Sequence, residues 1–250
     1  MARVLAIANQ KGGVAKTTTA AALATAFHER GRRVLLVDLD SQACLTFALG
    51  VDPDEGGLGS HDVMLGGRVA DAVVTTAEGV DLVPATLDLA GVDAALTGRE
   101  DRDLVLRQAL SVVADDYDDV VLDCSPSLGV LTLNALAAAD EVLVPLTAEM
   151  LGHRAVGQLL DTVEDVRELL NPALVVVGLL PTMVDMRTAH ARQVVSDLGE
   201  RYGLPVLGPV PRSVRVAEAP ARGRSVLATA GRSTAAVAYR EVADALLPSR

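Results

Sequence analysis

The sequence predicts an α/β chain: a doubly wound, mostly parallel, twisted sheet with helices on both faces. Three observations point there. Apolar, β-branched runs alternate with helical patterns along almost all 250 residues, and such alternation implies right-handed crossovers between parallel strands. Several runs are apolar almost without a break, Val4-Leu5-Ala6-Ile7-Ala8 among them, as in strands covered on both faces. Glycines and aspartates stand directly behind these runs, at the strand ends where an open α/β sheet holds its ligand.

The elements follow in order. Strand 4–8 enters a glycine-bearing turn that opens a helix over 17–29. Strand 33–37 ends in Asp38-Leu39-Asp40, and residues 52–67, rich in Gly, Asp and Pro, read as a mobile surface connection. Strand 80–84 precedes helices at 87–96 and 102–114. Strand 119–123 closes on Asp123 and leads to a helix at 130–138. Strands 141–146 and 174–180 are separated by a helix at 156–170, and a helix at 189–202 precedes a seventh strand at 205–210. A last helix covers 235–247. No repeat, low-complexity tract or domain boundary interrupts this order, so residues 1–250 are expected to form one domain.

Half the residues are hydrophobic, but no apolar run is long enough to cross a membrane. The start, Met1-Ala2-Arg3-Val4, passes straight into the first strand and leaves no room for a secretion signal. Cys44 and Cys124 lie far apart without metal-ligand spacing and read as reduced thiols. Both features fit a cytoplasmic protein. Three Tyr, two Phe and no Trp leave little for base stacking. The net charge is −11, which opposes nucleic-acid binding as a whole. The charge is uneven, however. Residues 181–232 hold eight arginines against four acids, a balance of +4 beside −15 elsewhere. A locally basic surface on an acidic body suits a phosphate backbone.

The chemistry concentrates behind the first strand, in Asn9-Gln10-Lys11-Gly12-Gly13-Val14-Ala15-Lys16-Thr17-Thr18. Consecutive backbone N–H groups and the positive end of a helix converge there, and an anion is stabilised where they meet. Lys16 can reach outer phosphates and the Thr17 hydroxyl can ligate magnesium. Asp38, Asp40 and Asp123 end apolar strands at the same mouth. Alone, each is a turn former; beside a phosphate cradle, they suit magnesium ligation and water positioning.

The form K-G-G-x-x-K-T-T, with Lys11 at its head, resembles the deviant phosphate loop of the ParA/MinD group of dimerising ATPases. Ala15 stands where that pattern has glycine. Further matches are V-D-L-D-x-Q at 37–42, D-C-x-P-S-L-G at 123–129, L-T-L-N-A-L at 131–136, and the stretches 82–91, 139–145, 180–188 and 210–220. The last contains Glu218-Ala219-Pro220, the block that separates chromosomal ParA proteins from MinD relatives.

The resemblance implies a P-loop ATPase using ATP and Mg2+. Lys16 and the amides of residues 12–18 would hold the phosphates, and Thr17 and Asp123 the metal. Asp40 would orient water beside the metal, Asp38 would support that switch, and Gly129 would be the pivot of the second one. Lys11 would cross to the nucleotide of a second copy in an ATP-dependent homodimer. Arg187 and Arg215, then Arg222 and Arg224, would grip double-stranded DNA without sequence preference. A ParB-like centromere-binding protein would be the partner, and the location would be the nucleoid. Pro211 and Arg212 alternatively flank the adenine, as their strand-end position suggests. Thr182 occupies a position where relatives of this nucleotide-binding class have a base-reading amide.

Rival readings predict other features. A MinD-like membrane ATPase needs a basic amphipathic tail, whereas the last helix offers Arg240 against Glu241 and Asp244. An amide-forming or carboxylating ligase needs a further catalytic constellation, and histidines 28, 61, 153 and 190 are scattered. An iron–sulfur reductase needs cysteines on two connecting loops, not directly behind switch aspartates. A ParA-like positioner of another cargo stays open.

Overall fold

In the computed structural model, residues 1–147 and 152–247 are described. Seven strands form one sheet in the order β3-β4-β2-β5-β1-β6-β7. They are β1 (Arg3–Ile7), β2 (Val34–Leu39), β3 (Val74–Thr75), β4 (Asp81–Val83), β5 (Asp119–Cys124), β6 (Glu141–Thr147) and β7 (Val175–Thr182). All neighbours pair in parallel except β3, which is antiparallel to β4. The helices are α1 (Lys16–Glu29), α2 (Cys44–Ala48), α3 (Ser60–Met64), α4 (Val69–Ala72), α5 (Val92–Leu96), α6 (Val105–Ser111), α7 (Val130–Ala138), α8 (Gly152–Leu169), α9 (Ala189–Tyr202), α10 (Val214–Glu218), α11 (Val226–Thr229) and α12 (Thr234–Leu246).

Successive strand residues face opposite sides of the sheet, and two cores result. Leu5, Ile7, Leu36 and Val121 point to the side covered by α1, α11 and α12, where Phe27 and Tyr239 are buried. Ala6, Leu35, Val37, Val120 and Leu122 point to the side of α3, α5, α6, α7 and α8. This double covering is why the central strands read as unbroken apolar runs. The last helix packs against α1, and the Tyr239 and Thr19 hydroxyls meet at 3.2 Å. At the opposite end of the sheet, buried Asp119 accepts from Arg3 at 2.8 Å and also from Arg32, tying β1, β2 and β5 together away from the ligand mouth.

Six of the seven expected strands form. Residues 205–210 instead lie beside β7 through isolated bridges, Leu179 to Val206 and Val184 to Pro211. Prolines 205 and 209 have no N–H to give a ladder, so the pairing never becomes regular. The expected helix at 87–96 begins as a 3-10 turn, Leu87–Gly91, before α5. The helix expected at 102–114 contracts to Val105–Ser111. The stretch 52–67 is not loose throughout: α3 buries Val63 and Met64, and the Ser60 N–H donates to the Pro84 carbonyl at 2.8 Å. The remaining unexpected elements, β3, α2, α4, α10 and α11, have five residues or fewer. That is too short for a period to register.

Candidate nucleotide site

Adjacent strands bring the three strand-end motifs together. Ile7, the last residue of β1, pairs with Asp123 on β5, and Asp38 on β2 pairs with Asp123 from the other side. The turn leaving β1, the carboxylate of Asp123 and the segment after Asp38 therefore share one mouth at the carboxyl edge.

The turn is fixed by its own chain. Asn9 donates from Nδ2 to the Pro145 carbonyl at 2.6 Å and accepts from the Lys11 N–H at 2.9 Å. Thr182 is buried, and its hydroxyl lies 3.0 Å from the Val14 carbonyl and 3.1 Å from that of Leu146. That hydroxyl braces the turn from below. Gly13 has φ 71°, a conformation natural to glycine. Ala15 has φ 65° and ψ 33°, so it takes the left-handed conformation despite its methyl group. Ala15 is the N-cap of α1 and its side chain caps nothing, so the first N–H groups of this 14-residue helix lack a side-chain acceptor. Such an end is an anion site.

Lys16 is 7% exposed and its Nζ donates to the Lys11 carbonyl at 3.3 Å. Burial pulls its pKa down, and the charges of Asp123, Cys124 and Asp40 oppose that. Lys11 reaches Thr147 at the end of β6, with Nζ to Oγ1 at 3.4 Å. Gly12 and Gly13 are exposed, whereas Val14 is buried and Thr17 and Thr18 are half-buried.

Asp123 is the sharpest feature. It is 1% exposed, and neither carboxylate oxygen has a hydrogen-bond partner among the described residues. Burial drives its pKa well above the usual carboxylate range, Asp38 adds to the shift, and the Thr17 hydroxyl and Lys16 charge oppose it. A buried carboxylate without partners costs several kcal/mol unless a ligand answers it. A hydrated magnesium ion fits that donor set, since magnesium takes one or two protein oxygens together with water and phosphate.

Asp38 looks similar in sequence but is satisfied. Its carboxylate accepts from the Asp40 N–H at 3.1 Å, the Thr46 N–H at 2.9 Å and the Thr46 hydroxyl at 2.7 Å. Burial nevertheless lifts its pKa to about 6. Thr46 in turn accepts from the Ala85 N–H at 2.9 Å, linking the switch to the end of β4. Asp38 thus shapes the loop that presents half-buried Asp40, whose Oδ1 accepts from the Gln42 N–H at 3.0 Å. Sequence reading did not single out Asn9 or Thr46 as supports. Their signals were an amide directly after a strand and a hydroxyl eight residues beyond Asp38.

The other expected residues are placed differently. Pro211 and exposed Arg212 lie beside the end of β7, where the Arg212 N–H donates to the Val184 carbonyl at 3.3 Å. Met183, between Thr182 and Val184, is left-handed with φ 54°. Arg187 is 91% exposed and forked onto Asp185 at 2.8 and 2.7 Å. Arg215 pairs with Glu218 at 2.8 Å. Arg215 and Arg222 line one cleft. Arg224 lines a cavity of about 330 Å³ between α1, α2 and residues 216–226. The arginines are thus exposed as expected, but the first two are held by acids of their own segments.

A family model described as an AAA domain matches residues 2–176. The chain is 46% identical to the chromosome-partitioning ATPase Soj of Thermus thermophilus, over 98% of this chain and 95% of that protein. It is 45% identical to the chromosome partitioning protein ParA of Caulobacter vibrioides, over 90% and 86%. A solved structure named cobyrinic acid a,c-diamide synthase from Mycobacterium smegmatis, with bound ADP and magnesium, superposes with a TM-score of 0.88 at 52% identity, covering 98% and 94% of the two chains. With relatives of that identity matched over most of both chains, the chain belongs to the ParA/Soj family of partitioning ATPases.

Proposed function

We propose that this protein is an ATP-driven dimerising switch that holds DNA without sequence preference and, with a ParB-like partner, segregates chromosome or plasmid cargo. The observation that supports it most is the pair of unanswered oxygens on Asp123, buried beside Lys16 and Thr17. Residues 12–18 and Lys16 hold the phosphates, and Pro211 and Arg212 flank the adenine. Thr17, Asp123 and Asp40 hold the metal and its waters. When bound, magnesium screens charge on the β- and γ-phosphates. Asp40 orients a water in line with the γ-phosphorus; as the water oxygen bonds to that phosphorus, the bond to the bridging oxygen breaks, that oxygen leaves with ADP, and the water's protons pass to the released phosphate and to solvent. Lys11 is supplied by the second copy and stabilises the same charge. Loss of the γ-phosphate releases both switches and the pair.

DNA retention follows from pairing. A single copy offers few arginines, and two linked patches multiply weak phosphate contacts through effective concentration. The test is sedimentation with ADP, with ATP and with a non-cleavable analogue, followed by DNA retention across a salt series. A dimer confined to the triphosphate states, which alone retain DNA, is the expected result. An unchanged mass in every state sinks the proposal. Lys11→Ala should bind ATP yet stay monomeric. The expected location is the cytoplasm, on the nucleoid.

One rival has an observation in its favour, the likeness to the Mycobacterium smegmatis protein. Amide formation on a corrin would require a large substrate cavity. The cavity beside α1 is about 330 Å³ and the one beside Gly50 and Gly223 about 480 Å³, both in the lower half of the range for ligand pockets. ATP turnover stimulated by a corrinoid acid with ammonia or glutamine, and indifferent to DNA, would favour that rival.

A further inference from the structure

The helix that follows Asp40 ends on the segment that bears the late arginines. Gly50 lies just beyond α2, and Gly223 stands between Arg222 and Arg224. Both are left-handed, with φ 80° and 61°. A Cβ on Gly223 would fall 2.8 Å from the Gly50 Cα, and a Cβ on Gly50 would fall 3.0 Å from the Gly223 carbonyl oxygen. Two backbones touch here with no side chain to cushion them.

From Asp40 to Gly50 the chain is bonded in series. The Ala43 N–H donates to the Asp40 carbonyl, the Phe47 N–H to that of Ala43, and the Gly50 N–H to that of Phe47. Asp38 holds the middle of the stretch through Thr46. A displacement at Asp40 therefore reaches Gly50 without an intervening flexible joint.

The arginine segment is anchored at its two ends. At one end Pro211 bridges to Val184. At the other the Ser225 hydroxyl donates to the Glu78 carboxylate at 2.7 Å, and the Thr25 hydroxyl donates to the same oxygen at 2.7 Å. Between the anchors, α10 and the 3-10 turn Pro220–Arg222 contain no buried residues, and Ala219 at their junction is the residue packed into the core. The 330 Å³ cavity lies under this span, against α1 and α2. The switch meets this span along the end of α2, with Phe47 beside Pro220, and its backbone comes closest at Gly50 against Gly223.

We propose that the Gly50–Gly223 contact is a lever that carries the state of the nucleotide from Asp40 to Arg222 and Arg224 within a single chain. The lever rests on the reading above, in which Asp40 orients water at the γ-phosphate, its switch is released when that phosphate is lost, and these arginines face DNA. It adds a second control to pairing: the arginines are repositioned before a second copy engages. Any side chain at either glycine would wedge the contact open.

Hydrogen–deuterium exchange on the full chain reads the lever without DNA. The protein is compared with magnesium and ADP, and with magnesium and a non-hydrolysable ATP analogue. The analogue should change exchange at residues 40–50 and at 219–224 by about fivefold or more. In Gly223→Ala and in Gly50→Ala, residues 40–50 should still respond, while the response at 219–224 falls below about twofold. A wild-type response at 40–50 with none at 219–224 overturns the inference, as does an absent response at both. So does a variant in which both stretches still respond. Should one substitution unfold the chain, the other variant and the wild type still decide. Monomeric Lys11→Ala must show the same paired response; its loss there means that pairing, not the lever, moves the segment. A protein that responds as expected but retains no DNA in any nucleotide state defeats the DNA-binding reading and leaves the lever standing.

Discussion

The mouth of the sheet and the arginine segment differ in how their charges are kept. At the mouth, Asp123 is buried with both oxygens unanswered, Lys16 is buried against a carbonyl, and Ala15 sits in a conformation that alanine avoids. Along the late segments, Arg187 is almost fully exposed and already forked onto Asp185, and Arg215 is paired with Glu218. The first region holds stored cost that only a ligand relieves. The second holds satisfied surface ion pairs of small worth, which a phosphate can exchange for its own contacts. A site that must bind one ligand in one pose is thus strained and dry. The arginine surface, which on the proposed function binds any stretch of a polyanion and lets go, is wet and already balanced.

The contrast can be broken by experiment. Asp40→Ala should lower turnover on the order of 10²- to 10⁴-fold while ATP affinity changes little; single-turnover hydrolysis beside equilibrium titration checks it, and undiminished hydrolysis would move the water-orienting role elsewhere. Lys16→Ala should weaken nucleotide binding by roughly 30- to 10³-fold, as loss of a buried charged contact does. Calorimetry that finds wild-type affinity would mean the buried lysine is only structural. Asp123→Asn should stabilise the ligand-free protein by about 1–3 kcal/mol, because an uncompensated buried carboxylate is removed. The same variant should gain little further stability from magnesium with ADP. Thermal melts with and without that pair would show it, and a destabilised ligand-free variant would refute the idea of stored cost.

Two smaller effects sharpen the other half. The Arg187 fork holds Asp185 down to about 2, from an ordinary 3.8. A depressed carboxylate supports the pair above its unfolded pKa and releases it as pH falls through about 2. Arg187→Ala should raise the Asp185 titration, followed by NMR, from about 2 toward the ordinary 3.8, with the residue-187 N–H still donating to the carboxylate. Adding DNA to the wild type should raise it too, as the arginine changes partner. A normal titration in the free protein would mean the fork does not persist in water. Last, Ala15→Gly should stabilise the protein by about 0.5–1 kcal/mol, the relief of a left-handed alanine less the added freedom of the unfolded chain.

Much of the nucleotide site was legible because its signals are local. A strand, a glycine turn, Lys16 and Thr17 are contiguous, and Asp38 and Asp123 each follow their strands directly. Less legible was which carboxylate is answered. Asp38 and Asp123 look alike in sequence, but Thr46 satisfies one, whereas the other has no hydrogen-bond partner among the described residues. The seventh strand was misread because an apolar run announces burial, while two prolines within it forbid a ladder.

By itself the sequence determined the alternation of strands and helices, the phosphate-binding turn and the residue types at each strand end. These depend on period, propensity and chemistry within a dozen neighbouring residues. Only the tertiary structure decided that Asp38 and Asp123 stand side by side, that Asp185 and Glu218 occupy the arginines, and that Gly50 rests on Gly223. Pairings of that kind depend on sheet order and on backbone approach between distant segments, which no local pattern encodes.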